Sequence, residues 1–303
     1  MPHRIVTVSN PSWLKKDLEQ LSISQEGQEV GRVPIEDLAV LILESHGTAL
    51  TQELVVALSK ANVAVVFCDE RHLPLSCVMP FEANALHAKI VREQAECSVP
   101  KKKQLWKQIV QSKIKAQAET LRICNPKDRE AKSVAKYLDE LAAKVKSGDS
   151  ENAEARAAAD YFPALFGQGF MRDRDLPGVN AALNYGYAIV RAMVARAIVG
   201  TGLHPALGLM HRGPANPFNL ADDAIEPLRP VVDQYVFDRA PDLPEDGSLA
   251  KETRADLLKL TVLDLYIAGK PAGIEPALAR YAASLREGIC GEGRKLVIPL
   301  RRP

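Results

Sequence analysis

VAVVFCDERHLPLSCVMPFEANALHAKIV, residues 63–91, contains the point at which the character of the chain changes. Its first half has two apolar runs, VAVVFCD and LPLSCVM, around the polar turn DERH, a pattern typical of buried β-strands. After Pro80 the apolar residues recur at helical spacing. The segment therefore predicts an α+β chain, with a small β-rich, sandwich-like domain over residues 1–80 and a larger all-α domain over residues 81–303.

Upstream of this point the sequence indicates mostly short strands. RIVTVS, LSISQ, QEVGRVP and LAVLILES have β-branched or alternating apolar positions between polar or Pro-containing turns. One helix is expected here, in TQELVVALSKANV, with Thr51 as its N-cap.

Downstream, the apolar spacing predicts a series of helices separated by breaks that carry Pro or Gly. They are expected near residues 83–97, 101–123, 129–146, 150–166, 178–202, 222–236, 249–268 and 275–288.

Composition narrows the class of protein. The chain has 303 residues, 47% of them hydrophobic and 25% charged, which is typical of a globular protein. No apolar run reaches the ~18–20 residues that a membrane-spanning helix needs, and the N-terminus lacks a signal-peptide pattern. The five cysteines form no CxxC pair and are expected to be reduced thiols, without a disulfide framework or zinc site. A cytoplasmic prokaryotic protein without membrane contact is expected.

A histidine and several acids lie close together in LGLMHRGPANPFNLADDAIEPLRPVVD, residues 207–233. His211 precedes Asp222, Asp223 and Glu226, and the last two are three residues apart, so they share a face if the segment is helical. Carboxylates that converge with an imidazole form a site for Mg²⁺ or Mn²⁺. The alternative is a solvated acidic helix start, which the helix dipole favours.

A second candidate acid lies in SGDSENAEARAAADYF. Glu154 is one turn into a predicted helix and is surrounded by alanines. Small neighbours allow other helices to approach closely and to bury the carboxylate in a cleft. Alternatively, Glu151 and Glu154 simply complement the positive end of the helix.

Basic residues are unevenly distributed. Between Lys89 and Arg122 there are nine basic residues and three acids, an excess that suits a polyanion such as DNA. Two arginines also lie within the apolar helix predicted in LNYGYAIVRAMVARAIVG. The candidates for DNA contact are Lys101, Lys102, Lys103, Lys107, Arg191 and Arg196. The alternatives are a solvated lysine-rich face and, for the two arginines, structural ion pairs.

Three fragments, in this order, resemble one known family. The stretch from Glu154 to Phe162, EARAAADYF, is similar to the family pattern E-G-x-A-A-x-x-Y-F. LNYGY, followed by GLHPALGLMH, is similar to its L-N-Y-G-Y and G-L-x-P-x-x-G-x-x-H. NLADDAIEPLRPVVD is similar to N-L-A-x-D-L-M-E-P-F-R-P-x-V-D. The chain thus resembles, over most of its length, the CRISPR-associated integrases of spacer acquisition, the Cas1 family, particularly the type II form.

The resemblance implies both an activity and a ligand set. The activity is that of a metal-dependent DNA integrase and endonuclease, which inserts short DNA fragments (spacers) into a CRISPR array. The 3′-hydroxyl of the fragment attacks a phosphodiester at the edge of a repeat. The implied catalytic metal ligands are Glu154, His211 and Glu226, with Asp223 as a further candidate, and the implied cation is Mg²⁺ or Mn²⁺.

The sequence departs from the family pattern at several positions. Ala155 replaces a common glycine, His204 stands where an acid is frequent, and Asp222 takes a usually apolar position. None of these changes removes a ligand type, although Asp222 leaves open which acid binds metal besides Glu226.

The resemblance also implies partners. These are double-stranded DNA (the prespacer and the CRISPR repeat), a second copy of the chain joined through the β-rich domain, and the small protein Cas2. Contact with the effector nuclease of type II systems is a further implied interaction. Three alternatives stay open: a stand-alone metal-dependent nuclease on branched DNA, a non-catalytic DNA-binding scaffold of the adaptation complex, and an unrelated metal hydrolase.

Overall fold

The structure, a computed structural model, describes residues 4–70, 74–78, 80, 86–243, 249–293 and 295–301. The N-terminal part is β-rich, as the sequence predicts. Its elements are β1 (Arg4–Val8), β2 (Trp13–Asp17), β3 (Gln20–Gln25), β4 (Gln28–Pro34), β5 (Leu38–Leu43), β6 (Ala49–Leu50), α1 (Gln52–Lys60), β7 (Ala64–Cys68) and β8 (Pro74–Val78). The Thr51 hydroxyl caps α1 by accepting from the Leu54 N–H at 3.3 Å. Strands β2 and β6 were not predicted, since neither carries a run of apolar positions.

These strands form two four-stranded sheets, in the orders β4-β3-β2-β6 and β1-β5-β7-β8. In the second sheet β1, β5 and β7 are parallel and β8 is antiparallel to β7. Every residue of β5 is buried, as expected for a strand whose sheet is covered on both faces. Leu38 and Leu41 pack with α1 and the first sheet, whereas Val40 and Ile42 join the core of the helical part. One sheet therefore belongs to two hydrophobic cores.

A buried polar cluster ties β5 to the helical part. Glu44, directly after the strand, is 3% exposed. Its carboxylate accepts from the hydroxyls of Ser9 at 2.8 Å and Tyr185 at 2.7 Å. Its third partner is Arg254, 210 residues later in the chain, whose Nε lies at 3.2 Å. The cluster neutralises the buried charge and links three distant parts of the sequence.

The remaining chain is mostly helical, which confirms the predicted fold class. The helices are α2 (His87–Ala95), α3 (Val99–Cys124), α4 (Arg129–Lys144), α5 (Ala153–Phe166), α6 (Val179–Gly200), α7 (Asn219–Ile225), α8 (Arg229–Phe237), α9 (Lys251–Leu257) and α10 (Ile274–Cys290). The 26-residue α3 contacts α4, α5, α7, α8 and α10 and so forms the axis of this part. Within the described ranges no helix has both the length and the hydropathy needed to cross a membrane.

Two helix predictions were wrong in detail. The helix expected at 249–268 ends with α9 and a 3₁₀ turn at Leu258–Val262, and the chain then forms a hairpin of β9 (Asp264–Ile267) and β10 (Lys270–Gly273). Ala268 and Gly269 form its two-residue turn, both with positive φ (50° and 78°), which is the geometry that a tight hairpin requires.

The second difference is at 222–236, where one helix was expected. Here a 3₁₀ turn at Glu226–Leu228 separates α7 from α8. Pro227 and Pro230 lack backbone N–H groups, and a helix is interrupted where that donor is missing.

Candidate active site

The candidate residues converge on one face of α3. Trp106 and Lys113, seven residues apart on α3, are 3% and 8% exposed and line this face. Glu154 comes from the first turn of α5 and Glu226 from the 3₁₀ turn between α7 and α8. His211 lies in the loop between α6 and α7, its ring edge-on to that of Trp106 with 6.0 Å between ring centroids.

A strained turn fixes the position of Glu154. Gly148, Asp149 and Asn152 have φ values of 70°, 51° and 53°, and the left-handed region is unfavourable for the two residues that are not glycine. The turn places the Asp149 carboxylate over the start of α5, where it accepts from the backbone N–H groups of Ala153 at 2.8 Å and Glu154 at 3.0 Å. Asp149 therefore anchors the backbone that carries Glu154.

Glu154 and Glu226 meet on a single ammonium group. Lys113 Nζ donates to Glu154 Oε1 at 2.7 Å and also to Glu226 Oε2. The other oxygen of Glu226 pairs with Arg229 Nε at 2.8 Å. Glu226 is 4% exposed, so both of its oxygens are held by cations away from solvent.

These contacts shift the pKa values in opposite directions. Burial favours the neutral form of Glu226, but Lys113 and Arg229 outweigh burial and lower its pKa to about 2. For Glu154 burial is the larger effect, and its pKa is raised despite Lys113. Burial also opposes the charge of Lys113, yet the two carboxylates raise its pKa above the usual value. Glu226 is thus ionised at neutral pH.

Asp223 organises the loop that carries His211. Its fully buried carboxylate accepts from the N–H groups of Leu209 at 2.5 Å and Met210 at 3.1 Å through Oδ2. Through Oδ1 it accepts from the N–H of His211 at 3.1 Å and lies 2.7 Å from His211 Nδ1. The loop closes tightly, since a Cβ on Gly208 would lie 2.3 Å from the carbonyl oxygen of His211.

The contact at Nδ1 determines what His211 can bind. When Nδ1–H donates to Asp223, Nε2 keeps a free lone pair, as in many metal sites where a carboxylate orients the histidine ligand. The hydrogen bond to Asp223 raises the pKa of His211, and partial burial opposes that rise. Both oxygens of Asp223 accept hydrogen bonds from the His211 loop, so Asp223 is placed to orient His211. The sequence also suggested Asp223 as a metal ligand.

A second group of residues supports Arg229 from behind. The guanidinium lies over the ring of Tyr187, 4.6 Å from its centroid. Tyr187 and Tyr161 both donate their hydroxyls to Asp233, at 3.0 Å for Tyr161. Asp233 is 1% exposed, and burial raises its pKa to about 6. Arg229 is therefore held against Glu226 by a packed aromatic ring as well as by charge.

The donor types fit a hard divalent cation. Two carboxylates and an imidazole suit Mg²⁺ or Mn²⁺, and burial away from water strengthens their attraction for a cation. Within the described parts of the chain, no three His, Cys, Asp or Glu side chains already surround a common point. Between Glu154 and Glu226 that space is taken by the Lys113 ammonium.

The proposed DNA-contacting residues divide into two groups. Lys102 and Lys107 are half-buried and Lys103 is exposed on α3, whereas Lys101 donates to the carbonyl oxygen of Gly291 at 2.5 Å. The two arginines form the structural ion pairs that the sequence left as their alternative. Arg191 pairs with Asp222 at 2.6 Å, and Arg196 pairs with Glu275 and donates to the Asn62 carbonyl at 2.6 Å. Arg196 is 8% exposed and is not placed to contact DNA.

Sequence reasoning missed the site roles of Lys113 and Arg229. A signal existed for Lys113, which lies at helical spacing with the buried positions Trp106, Ile109 and Val110. A lysine on the apolar face of a helix needs a carboxylate partner. This spacing therefore argues against a place for Lys113 on a DNA-binding surface.

The chain matches one family of known proteins over most of its length. The family model described as CRISPR associated protein Cas1 matches residues 5–241. The CRISPR-associated endonuclease Cas1 of Neisseria meningitidis is 40% identical over 300 residues, covering 97% of this chain and 95% of that protein.

Two solved structures share the fold at low sequence identity. A casposase bound to integration product has a TM-score of 0.76 at 19% identity, covering 98% of this chain and 93% of that one. A Cas6-RT-Cas1–Cas2 complex has a TM-score of 0.79 at 18% identity, covering 97% of this chain and 36% of the longer one.

Proposed function

This chain belongs to the CRISPR-associated Cas1 family, and on that premise we propose that it is a metal-dependent DNA integrase that inserts short duplexes into a CRISPR array. The main observation behind the proposal is that Glu154 and Glu226 both contact Lys113 of α3. His211, which Asp223 orients, lies on the same side of this helix. These acids and the histidine occupy the family's motif positions.

Glu154, His211 and Glu226 would hold Mg²⁺ or Mn²⁺. When bound, the cation lowers the pKa of the attacking hydroxyl and neutralises charge that develops on the phosphate. Arg229 contributes by keeping Glu226 ionised and fixed. Asp223 contributes by holding His211 in the tautomer that leaves Nε2 free.

The proposed reaction is a transesterification. The 3′-oxygen of the incoming duplex forms a bond to phosphorus at the repeat edge, and the existing bond to the bridging 3′-oxygen of the repeat strand breaks. The proton lost by the attacking hydroxyl is matched by the proton that the leaving oxygen gains. One phosphodiester replaces another, so the reaction needs neither a covalent protein intermediate nor an external energy source.

The proposed DNA path follows the basic side of α3. Lys102, Lys103 and Lys107 have accessible side chains there and would contact phosphates without reading bases. A casposase that shares this fold was solved bound to integration product, which supports DNA as a ligand of this chain.

Partner proteins are also proposed. A complex that shares the fold contains Cas2, which supports a Cas2-like partner here. We expect homodimerisation through the β-rich region, where Trp13 and Val30 are 53% and 56% exposed. Contact with a type II effector nuclease, and a location in the cytoplasm, remain predictions from the sequence.

The proposal is tested by strand transfer in vitro. Purified protein, with and without its small partner, is mixed with Mn²⁺, an end-labelled duplex with 3′-hydroxyl ends, and a supercoiled plasmid carrying a repeat. Glu226→Gln should abolish transfer of label into the plasmid. Glu119→Gln, which changes a partly exposed acid on the same α3 helix, is the matched control and should retain it.

Other outcomes would favour the alternatives. Nicking of the plasmid without incorporation of label would favour a nuclease acting on branched DNA. Tight binding of duplex without any reaction would favour a scaffold, and absence of duplex binding would favour an unrelated metal hydrolase.

A further inference from the structure

We propose that Lys113 is a resident counter-ion of the metal site, whose ammonium group competes with the divalent cation for Glu154 and Glu226. The inference rests on the proposed function insofar as that function makes these two carboxylates metal ligands. It concerns a different property, namely how strongly the site binds metal before DNA arrives.

The position of the ammonium group is the first support. Lys113 lies in the middle of α3, is 8% exposed, and reaches both carboxylates from the helix that forms the floor of the site. Its contacts use Glu154 Oε1 and Glu226 Oε2, so one ammonium group holds an oxygen of each carboxylate. A cation bound by both carboxylates needs the lone pairs that Lys113 now occupies.

Charge is the second support. Glu226 is buried and Glu154 is half-buried, so without a cation their carboxylates repel each other and lose hydration. A protein that must fold before it binds metal therefore needs a positive charge between them. Arg229 does not meet this need alone, because it contacts Glu226 on the opposite oxygen and is held over the ring of Tyr187. Lys113 supplies the charge that reaches both acids.

The arrangement links metal binding to DNA binding. A lysine side chain is flexible and can leave the carboxylates, but Lys113 is 8% exposed, so its displaced charge then needs another anion. In strand transfer that anion is a phosphate of the bound DNA. The effect of DNA on metal affinity equals the effect of metal on DNA affinity. DNA should therefore increase the metal affinity of the wild-type protein, and this increase should require a cation at position 113.

The test is Mn²⁺ binding without DNA, measured from the loss of the free-ion signal in electron paramagnetic resonance. Lys113→Met should bind Mn²⁺ at least tenfold more tightly than the wild type. Lys113→Arg, which keeps a cation, and Lys115→Met, which changes an exposed lysine on the same helix, should stay within about twofold. Adding Glu154→Gln to Lys113→Met should remove the gain.

A second titration includes a non-cleavable duplex. DNA should increase Mn²⁺ affinity severalfold in the wild type and have little effect in Lys113→Met. Circular dichroism checks the folding of each variant, and Lys113→Gln replaces the methionine variant if that protein does not fold.

Equal or weaker Mn²⁺ binding by Lys113→Met overturns the inference, as does an absence of Mn²⁺ binding in all variants. The outcome is separable from the proposed function. Strand transfer by the wild type together with unchanged Mn²⁺ affinity in Lys113→Met would refute only the competition. Tighter binding in Lys113→Met without strand transfer by the wild type would refute only the integrase activity.

Discussion

Replacing Asp223 with Asn should destabilise the protein strongly, although the side chain keeps its size. The carboxylate receives four hydrogen bonds, from three backbone N–H groups and the His211 ring. An asparagine offers one acceptor oxygen, and its NH₂ group would face donors. Two donors then lose their partner at about 1–3 kcal/mol each, and because His211 is partly exposed we expect a loss of about 2–4 kcal/mol.

The loss should depend on pH. Asp223 raises the pKa of His211 in the folded state. The resulting stabilisation is complete below the unfolded pKa of about 6.5 and disappears as the pH rises through the folded value. The difference in unfolding free energy between wild type and Asp223→Asn should therefore be larger at pH 5.5 than at pH 9.

Urea denaturation at the two pH values measures both effects, and NMR titration of the imidazole should show a lower His211 pKa in the variant. Asp222→Asn is the matched control, because Asp222 is next in sequence but pairs with Arg191, whose side chain is 32% exposed and can be hydrated. We expect it to cost about 1 kcal/mol or less. A loss below about 1 kcal/mol in Asp223→Asn, or an equal loss at both pH values, would refute the role assigned to Asp223.

Three further predictions concern residues around the site and along the proposed DNA path. Asp149→Ala should remove the cap of α5 and lower the unfolding free energy by about 0.5–2 kcal/mol. It should also reduce strand transfer, because the backbone that carries Glu154 loses its anchor. Unchanged transfer at equal protein concentration would contradict this. Arg196→Met should cost about 3–5 kcal/mol in urea denaturation, because it leaves Glu275 without its partner, while duplex affinity stays constant in a filter-binding assay. The double variant Lys103→Ala, Lys107→Ala should keep its stability but bind all duplexes more weakly, to the same degree, and with a smaller dependence on salt concentration. A loss of affinity for particular sequences alone would argue against phosphate contacts.

Much of the fold could be predicted because the relevant signals are local. The continuous apolar run LAVLIL predicts a buried strand, and the helical spacing in α6 predicts each of its ends to within two residues. The hairpin of β9 and β10 could not be predicted in the same way. Its apolar residues continue the helical pattern of α9, and the change of direction depends on positive φ at Ala268 and Gly269.

The site shows a similar division. Family membership is confirmed, whereas the selection of the acids and the histidine as metal ligands by motif resemblance stays a prediction. The sequence could not predict which of these side chains contact each other, because Lys113, Glu154 and Glu226 come from α3, α5 and a 3₁₀ turn in separate parts of the chain. Asp223 holds the His211 loop, whereas Glu226 contacts Lys113. This difference depends on the close packing of the loop at Gly208, which residue spacing does not predict.

The link between Glu44 and Arg254 has a consequence for synthesis on the ribosome. The two residues are 210 positions apart, so at about 5–20 residues per second Glu44 emerges roughly 10–40 s before its partner. During that interval the end of β5 carries a carboxylate that cannot be buried with its charge balanced. The face of the second sheet that carries Val40 and Ile42 also stays exposed until the helical part that covers it has been translated.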